Sequence, residues 1–184
     1  IMKSFKSIAV AGSHGKTSTS TFLTTLLDLC TKDTSSIVGG IIPRYESNSI
    51  MKDSTYLVTE IDESDGTVSK YRPFLGIINN IDFDHCDYFL NLNELITSLC
   101  EFGSNSKILL TNDDCEVSKR NITSDYTWSI KKKNNVDFAM ISKKYEPGYT
   151  IADYYEKGKL ITRLKIPIPG IHNLSNITAA IAAC

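Results

Sequence analysis

The chain has 184 residues, 41% of them hydrophobic, which is enough for one well-cored domain and short for two. Twenty Lys and Arg against 21 Asp and Glu leave a formal charge of −1, which excludes broad attraction to nucleic acid or an acidic membrane and makes any phosphate binding local. Five scattered cysteines (Cys30, Cys86, Cys100, Cys115 and Cys184) form no C-x-x-C pair and read as reduced thiols of a cytoplasmic protein; neither a signal pattern nor a membrane-length apolar run is present.

Residues 7–11 form a short apolar run that ends in a glycine turn, and 17–30 then place Phe22, Leu26 and Leu29 at helical spacing, so strand, loop and helix follow in order. Residues 56–59 and 75–78 are compact apolar runs, each followed at once by polar residues, as buried parallel strands are. Residues 92–102 read as a helix, and 107–111 as another strand before the acidic turn Asn112-Asp113-Asp114. From about Tyr126 the chain turns β-rich: an antiparallel section is expected from 126 to 166, with strands over 136–141, 149–155 and 159–166 and a hairpin at Glu156-Lys157-Gly158-Lys159. The run Lys131-Lys132-Lys133-Asn134-Asn135 reads as a solvated turn. Residues 173–184 form an alanine-rich helix that stops without a capping residue, as in a piece excised from a longer protein. The fold class is α/β: a P-loop-type, mostly parallel sheet with helices on both faces and a small antiparallel β appendage.

Gly12-Ser13-His14-Gly15-Lys16-Thr17 lies between the first strand and the first helix, where a phosphate would be held. Glycines let successive N–H groups converge on an anion, the helix N-terminus adds positive potential, Lys16 can reach terminal phosphates and the Thr17 hydroxyl can hold magnesium. Two residues separate the glycines where the usual P-loop has four, so this is a shortened variant.

Two further strands end in polar clusters, Glu60-Ile61-Asp62-Glu63-Ser64-Asp65 and Asn79-Asn80-Ile81-Asp82-Phe83-Asp84-His85. Ligands bind at the C-terminal strand edge of open α/β sheets, so both clusters should face the crevice of the phosphate loop. Taken singly, a solvated acidic loop and a surface histidine are the plainer readings; placement beside a phosphate loop favours a site. Magnesium takes oxygen ligands and keeps waters, so Thr17, one carboxylate and the phosphates make a conventional first site.

Together with Asn80-Ile81-Asp82-x-Asp84-His85-x-Asp87-Tyr88 and Gly170-x-His172-Asn173-x-x-Asn176-x-x-Ala179-Ala180, these motifs resemble, in order and spacing, the Mur ligases across nearly the whole chain. The Glu-x-Asp-Glu-Ser-Asp form is similar to the alanine-adding branch. The resemblance implies an ATP-dependent amide-bond ligase of peptidoglycan synthesis, in which residues 1–184 are the central ATP-binding domain and the flanking UDP-sugar and C-terminal domains are absent. It implies ATP and Mg2+ as cofactors, and UDP-N-acetylmuramic acid and L-alanine as substrates of the full-length enzyme, with no nucleic acid and no membrane insertion. By motif, Gly12, Ser13, His14, Gly15, Lys16, Thr17 and Ser18 hold the phosphates, and His172, Asn173 and Asn176 lie against the base. Lys16, Glu60 and His85 are the catalytic set; Thr17 and Glu60 take one magnesium and His85 a second, with Asn80 and Asp62 towards the substrate.

The chain departs from the pattern at Ser13, where threonine is usual, and at Ile171, where relatives carry a charge. Later-acting members have a modified lysine about where Ser98, Leu99 and Cys100 stand, again as in the alanine-adding branch. The murein tripeptide recycling branch shares the phosphate loop but usually has tyrosine in place of Ser64. A nucleotide-binding module without ligase activity is the alternative from another class. A P-loop kinase or GTPase would need the longer glycine spacing, and a GTPase an Asn-Lys-x-Asp motif; neither is present.

Overall fold

A computed structural model describes residues 2–30, 32–64, 66–83 and 88–184. In chain order the elements are β1 (Lys6–Ala11), α1 (Lys16–Leu29), β2 (Thr34–Ile42), β3 (Ser47–Ile50), β4 (Tyr56–Glu60), β5 (Leu75–Ile78), α2 (Leu92–Asn105), β6 (Ile108–Asn112), α3 (Glu116–Asn121), β7 (Tyr126–Ser129), β8 (Phe138–Glu146), β9 (Tyr149–Glu156), β10 (Lys159–Ile166) and α4 (Ile171–Ala183). The described strands make one sheet in the order β10-β9-β8-β7-β6-β5-β1-β4-β2-β3. Pairing is parallel from β2 through β4, β1, β5, β6 and β7 to β8, and antiparallel for β2–β3, β8–β9 and β9–β10.

Successive side chains of a strand point to opposite faces, so β1 contributes to two cores. Ala9 and Ala11 join Ile78, Leu109 and the Leu95, Leu99 and Phe102 stripe of α2 in one core. Ile8 and Val10 join Val58, Ile77, Leu110 and Trp128 in a second core, under Leu23 and Leu27 of α1 and Ala179 and Ala180 of α4. Helices therefore cover both faces, as expected. Asn91 starts α2 by accepting a hydrogen bond from the Glu94 N–H at 3.1 Å, while the Glu94 carboxylate accepts from the Leu90 N–H at 3.0 Å.

Three features depart from the sequence reading. β2 and β3 lie in a stretch not assigned a strand above: β2 opens on Thr34, Ser35 and Ser36, all buried, continues through the apolar Ile37-Val38 and Ile41-Ile42, and pairs in parallel with β4. Two of these hydroxyls have local partners, Thr34 Oγ1 donating to Lys32 O at 2.6 Å and Ser35 Oγ to Lys52 O at 3.1 Å, which offsets the cost of burying them, whereas Ser36 Oγ has none. β7 is parallel to both neighbours, so the antiparallel section begins at β8 rather than at Tyr126. That section also continues the main sheet instead of forming its own. The hairpin at 156–159 has the expected turn, with Lys157 at φ 48° and Gly158 at φ 79°. Among the described residues, no helix is long and apolar enough to cross a membrane.

Leu23, on the sheet-facing side of α1, is fully buried, whereas Leu90 is 85% exposed. In urea unfolding, Leu23→Ala should lower stability by about 2–5 kcal/mol while Leu90→Ala stays within about 0.5 kcal/mol.

Candidate functional site

β1 sits between β4 and β5, and all three run in the same direction, so their C-terminal ends open side by side. The chain leaves each strand still bonded to its neighbour: the Ile61 N–H donates to Val10 O at 2.9 Å and the Asn79 N–H to Ala11 O at 3.0 Å. Beyond β1, Gly12 has φ 118°, and a Cβ there would stand 2.7 Å from Asn80 O, so this position takes no side chain.

The loop after β5 stitches the phosphate loop in place. The Ser13 N–H donates to Asn80 O at 3.2 Å and the His14 N–H to Asn80 Oδ1 at 2.8 Å. The Asn80 amide returns a bond to His14 O at 3.1 Å, and that of Asn79 reaches Thr19 Oγ1 at 2.9 Å. Ser13 Oγ both donates to Asp82 O at 2.7 Å and accepts from the Asp82 N–H at 2.9 Å. The departure at Ser13 thus retains a hydroxyl, and that hydroxyl serves the neighbouring loop. The exposed His14 has Nε2 3.7 Å from Asp82 Oδ2.

Gly15, at φ 77°, caps α1 with no side-chain bond, and the first bond of the helix runs from the Thr19 N–H to Gly15 O at 2.9 Å. The N–H groups of Lys16, Thr17 and Ser18 therefore have no intrahelical acceptor, and with the helix dipole they suit a phosphate. Lys16 Nζ donates to both carboxylate oxygens of Glu63, at 2.8 and 3.1 Å, in a largely buried pair. Thr17 Oγ1 donates to Glu60 Oε1 at 3.0 Å, and Glu60 Oε2 accepts the Gly39 N–H at 2.7 Å. A hydroxyl and a carboxylate held together are hard oxygen ligands of the kind magnesium takes alongside phosphate and water. Among the described residues no group of three or more His, Cys, Asp or Glu could hold a metal, so a cation here would depend on its ligand's oxygens.

Gly39 and Gly40 escaped the sequence reading. A Cβ on Gly39 would lie 3.0 Å from the Glu60 carboxylate, and one on Gly40 would lie 2.8 Å from Thr17 Cγ2. A Gly-Gly pair inside a strand signals close approach by another group, and this was the available sign.

A cavity of about 350 Å³ opens beside the loop, lined by His14, Gly15, Asn80, His172 and Asn176 among others. Asn176 lies against Gly15, where an added Cβ would come within 2.4 Å of its Oδ1. The exposed Ile171 also lines this cavity, but Asn173 does not: its amide donates to Pro169 O at 2.9 Å. Asp114, from the acidic turn after β6, shapes the far wall by accepting from Ser129 Oγ at 2.6 Å and the Ile130 N–H at 2.7 Å. The lysine run read as a solvated turn divides. Lys131 lines the cavity, and Lys132 pairs with Asp113 at 2.6 Å, which holds its ammonium above the usual lysine range.

Asp62 is exposed and its Oδ1 accepts the Ser64 N–H at 3.0 Å. His85 lies outside the described residues, as do Asp65, Asp84, Cys86 and Asp87. Cys30, Cys100, Cys115 and Cys184 are free thiols.

Comparison with known proteins places this geometry in a family. The model of the Mur ligase middle domain matches residues 10–184. A UDP-N-acetylmuramate–L-alanine ligase of Prochlorococcus marinus subsp. pastoris is 58% identical over 184 residues, which are 100% of this chain and 39% of that protein. The chain thus spans well under half the length of that relative. The crystal structure of a UDP-N-acetylmuramate-alanine ligase from Thermotoga maritima superposes with a TM-score of 0.85 at 26% identity, over 96% of this chain and 40% of that one. A Neisseria ligase whose name couples UDP-N-acetylmuramate to a tripeptide has nearly the same fold, with a TM-score of 0.84 at 21% identity, over 100% of this chain and 62% of that one. With the phosphate loop, the acidic loop and the α4 asparagine gathered at one edge of the sheet, and the family model spanning residues 10–184, the chain belongs to the Mur ligase middle domain family.

Proposed function

We propose that this chain is the central ATP-binding domain of a cytoplasmic, ATP-dependent ligase that joins L-alanine to UDP-N-acetylmuramic acid in peptidoglycan synthesis. The observation that carries the reading is the convergence of Lys16, Thr17 and Glu60 on the uncapped N-terminus of α1. The 58% identity to a named alanine ligase supports the alanine branch, which the two nearly equal fold likenesses leave open.

In the proposed reaction a substrate carboxylate attacks the γ-phosphorus of ATP and expels ADP to give an acyl phosphate, and the amine of alanine then attacks the acyl carbon and expels inorganic phosphate to form the amide. The chain's part is placement and charge neutralisation. Backbone N–H groups of residues 15–18 hold the phosphates, Lys16 takes the β- and γ-phosphate oxygens, and the cavity under His172 and Asn176 takes the base. Thr17 and Glu60 would hold one magnesium, which would supply positive charge to offset that of the phosphates. His85 would hold a second metal, which would lower the charge barrier between substrate carboxylate and phosphate, and Asn80 and Asp62 serve the substrate side. The acid and amine sites are completed by flanking domains.

Calorimetry tests this first on the 184 residues alone, which should bind Mg-ATP weakly and form no amide; ligase turnover by this chain alone would contradict the domain assignment. Lys16→Ala should weaken Mg-ATP binding by about tenfold to a hundredfold, the scale of one charge-assisted hydrogen bond. Unchanged affinity would mean the phosphates sit elsewhere. The two metal sites should also separate in the full-length ligase. Glu60→Ala should weaken Mg-ATP binding directly, whereas His85→Ala should leave it within about threefold and slow acyl-phosphate formation about a hundredfold. Nucleotide affinity and positional isotope exchange measure the two effects, and loss of ATP binding in a folded His85→Ala variant would refute the two-metal assignment.

A further inference from the structure

Glu63 has no task in that reaction, yet it holds the lysine the reaction needs. Its carboxylate meets Lys16 Nζ at 2.8 and 3.1 Å, and the side chains of the pair are 13% exposed for Lys16 and 9% for Glu63. An ammonium so far removed from water needs an anion beside it, and Glu63 supplies one. A polyphosphate entering the loop brings a competing anion to the same ammonium and repels the carboxylate already there.

Glu60 offers the contrast. Neutral donors fix it, the Thr17 hydroxyl at 3.0 Å and the Gly39 N–H at 2.7 Å, and phosphate does not compete with it for a positive charge. Glu63 lies beyond the end of β4, on a turn closed by the Gly66 N–H to Glu63 O at 3.1 Å, so its side chain can swing away with every ladder bond of the sheet intact.

We propose that Glu63 is a built-in competitor of the phosphates that sets the affinity of the phosphate loop: it occupies Lys16 until a ligand carries enough phosphate charge at the β and γ positions to take the ammonium over. Glu63 thereby weakens the binding of nucleoside triphosphates, which must take Lys16 from it, and leaves monophosphates, which bring no β- or γ-phosphate to Lys16, unaffected. This rests on the ATP-binding reading above.

The test is calorimetry on the full-length ligase with Mg-ATP and with AMP, for wild type, Glu63→Gln, Lys16→Ala and the double variant, with thermal melts alongside. Glu63→Gln should bind Mg-ATP about tenfold more tightly and AMP unchanged, since one charge is removed from beside Lys16 alone. In the Lys16→Ala background the gain should vanish. Glu63→Asp, which keeps the charge but shortens its reach, should give a smaller gain in the same direction and covers the case of a Gln variant that fails to fold. Unchanged or weaker Mg-ATP binding in Glu63→Gln, an equal gain for AMP, or a gain that survives Lys16→Ala would each overturn the proposal. Wild-type protein that binds no Mg-ATP would instead remove the ligase reading, and this inference with it.

Discussion

The site depends on β1 being flanked on both sides by parallel strands that end almost level with it, Glu60 opposite Val10 and Ile78 opposite Ala11. Because β4 and β5 are its direct neighbours, the loops leaving β4 and β5 each start about 5 Å from the one leaving β1. The β5 loop then fixes the phosphate loop through backbone and side-chain bonds at once, with Asn80 giving its own carbonyl to Ser13 and its amide to both backbone groups of His14. A glycine loop left to itself is conformationally expensive to order, and here most of the ordering is done before any ligand arrives. The same bonds leave the first-turn N–H groups of α1 outside the network, which keeps them for an anion.

Charge is handled differently at the two carboxylates. Glu60 is positioned by neutral donors and glycine-permitted close approach, so it can accept a cation without first losing a positive partner. Glu63 neutralises Lys16 in a setting with little water, so any ligand of that lysine must first displace it. The two carboxylates thus have different partners, neutral donors for Glu60 and an ammonium for Glu63, although only two residues separate them in the chain.

Much of this was legible in the sequence, because the signals were local. Strand, glycine loop and helix in succession carry their own periodicity, and polar residues immediately after apolar runs mark strand ends. What was not legible depended on distant partners. β2 opens with threonine and two serines where a buried strand would show valine or isoleucine, and the pairing of these residues with β4 makes them strand. The role of Gly39 and Gly40 required knowing that Thr17 and Glu60 would lie beneath them. Glu63 stood in plain view inside the acidic motif, but its partner is 47 residues away, and no spacing rule links them. Asn173, adjacent to His172 in sequence, turns its amide to Pro169 O, while its neighbours at 172 and 176 line the cavity, an arrangement that needs the fold of the 167–173 turn.

The antiparallel strands at the end of the sheet have a part in the site despite their distance from it. Met140, Ala152, Tyr154 and Ile166 from β8, β9 and β10 form a core with Leu174 of α4. Further along the same helix, Ala179 and Ala180 pack in the core beneath α1. α4 is thereby clamped between the two ends of its own length, over the extension and over the central sheet. Asn176 lies between these anchors, and its amide packs on Gly15. The extension therefore sets the height of α4 above the phosphate loop, and with it the width of the cavity between His172, Asn176 and the loop that Asp114 pins on the opposite side.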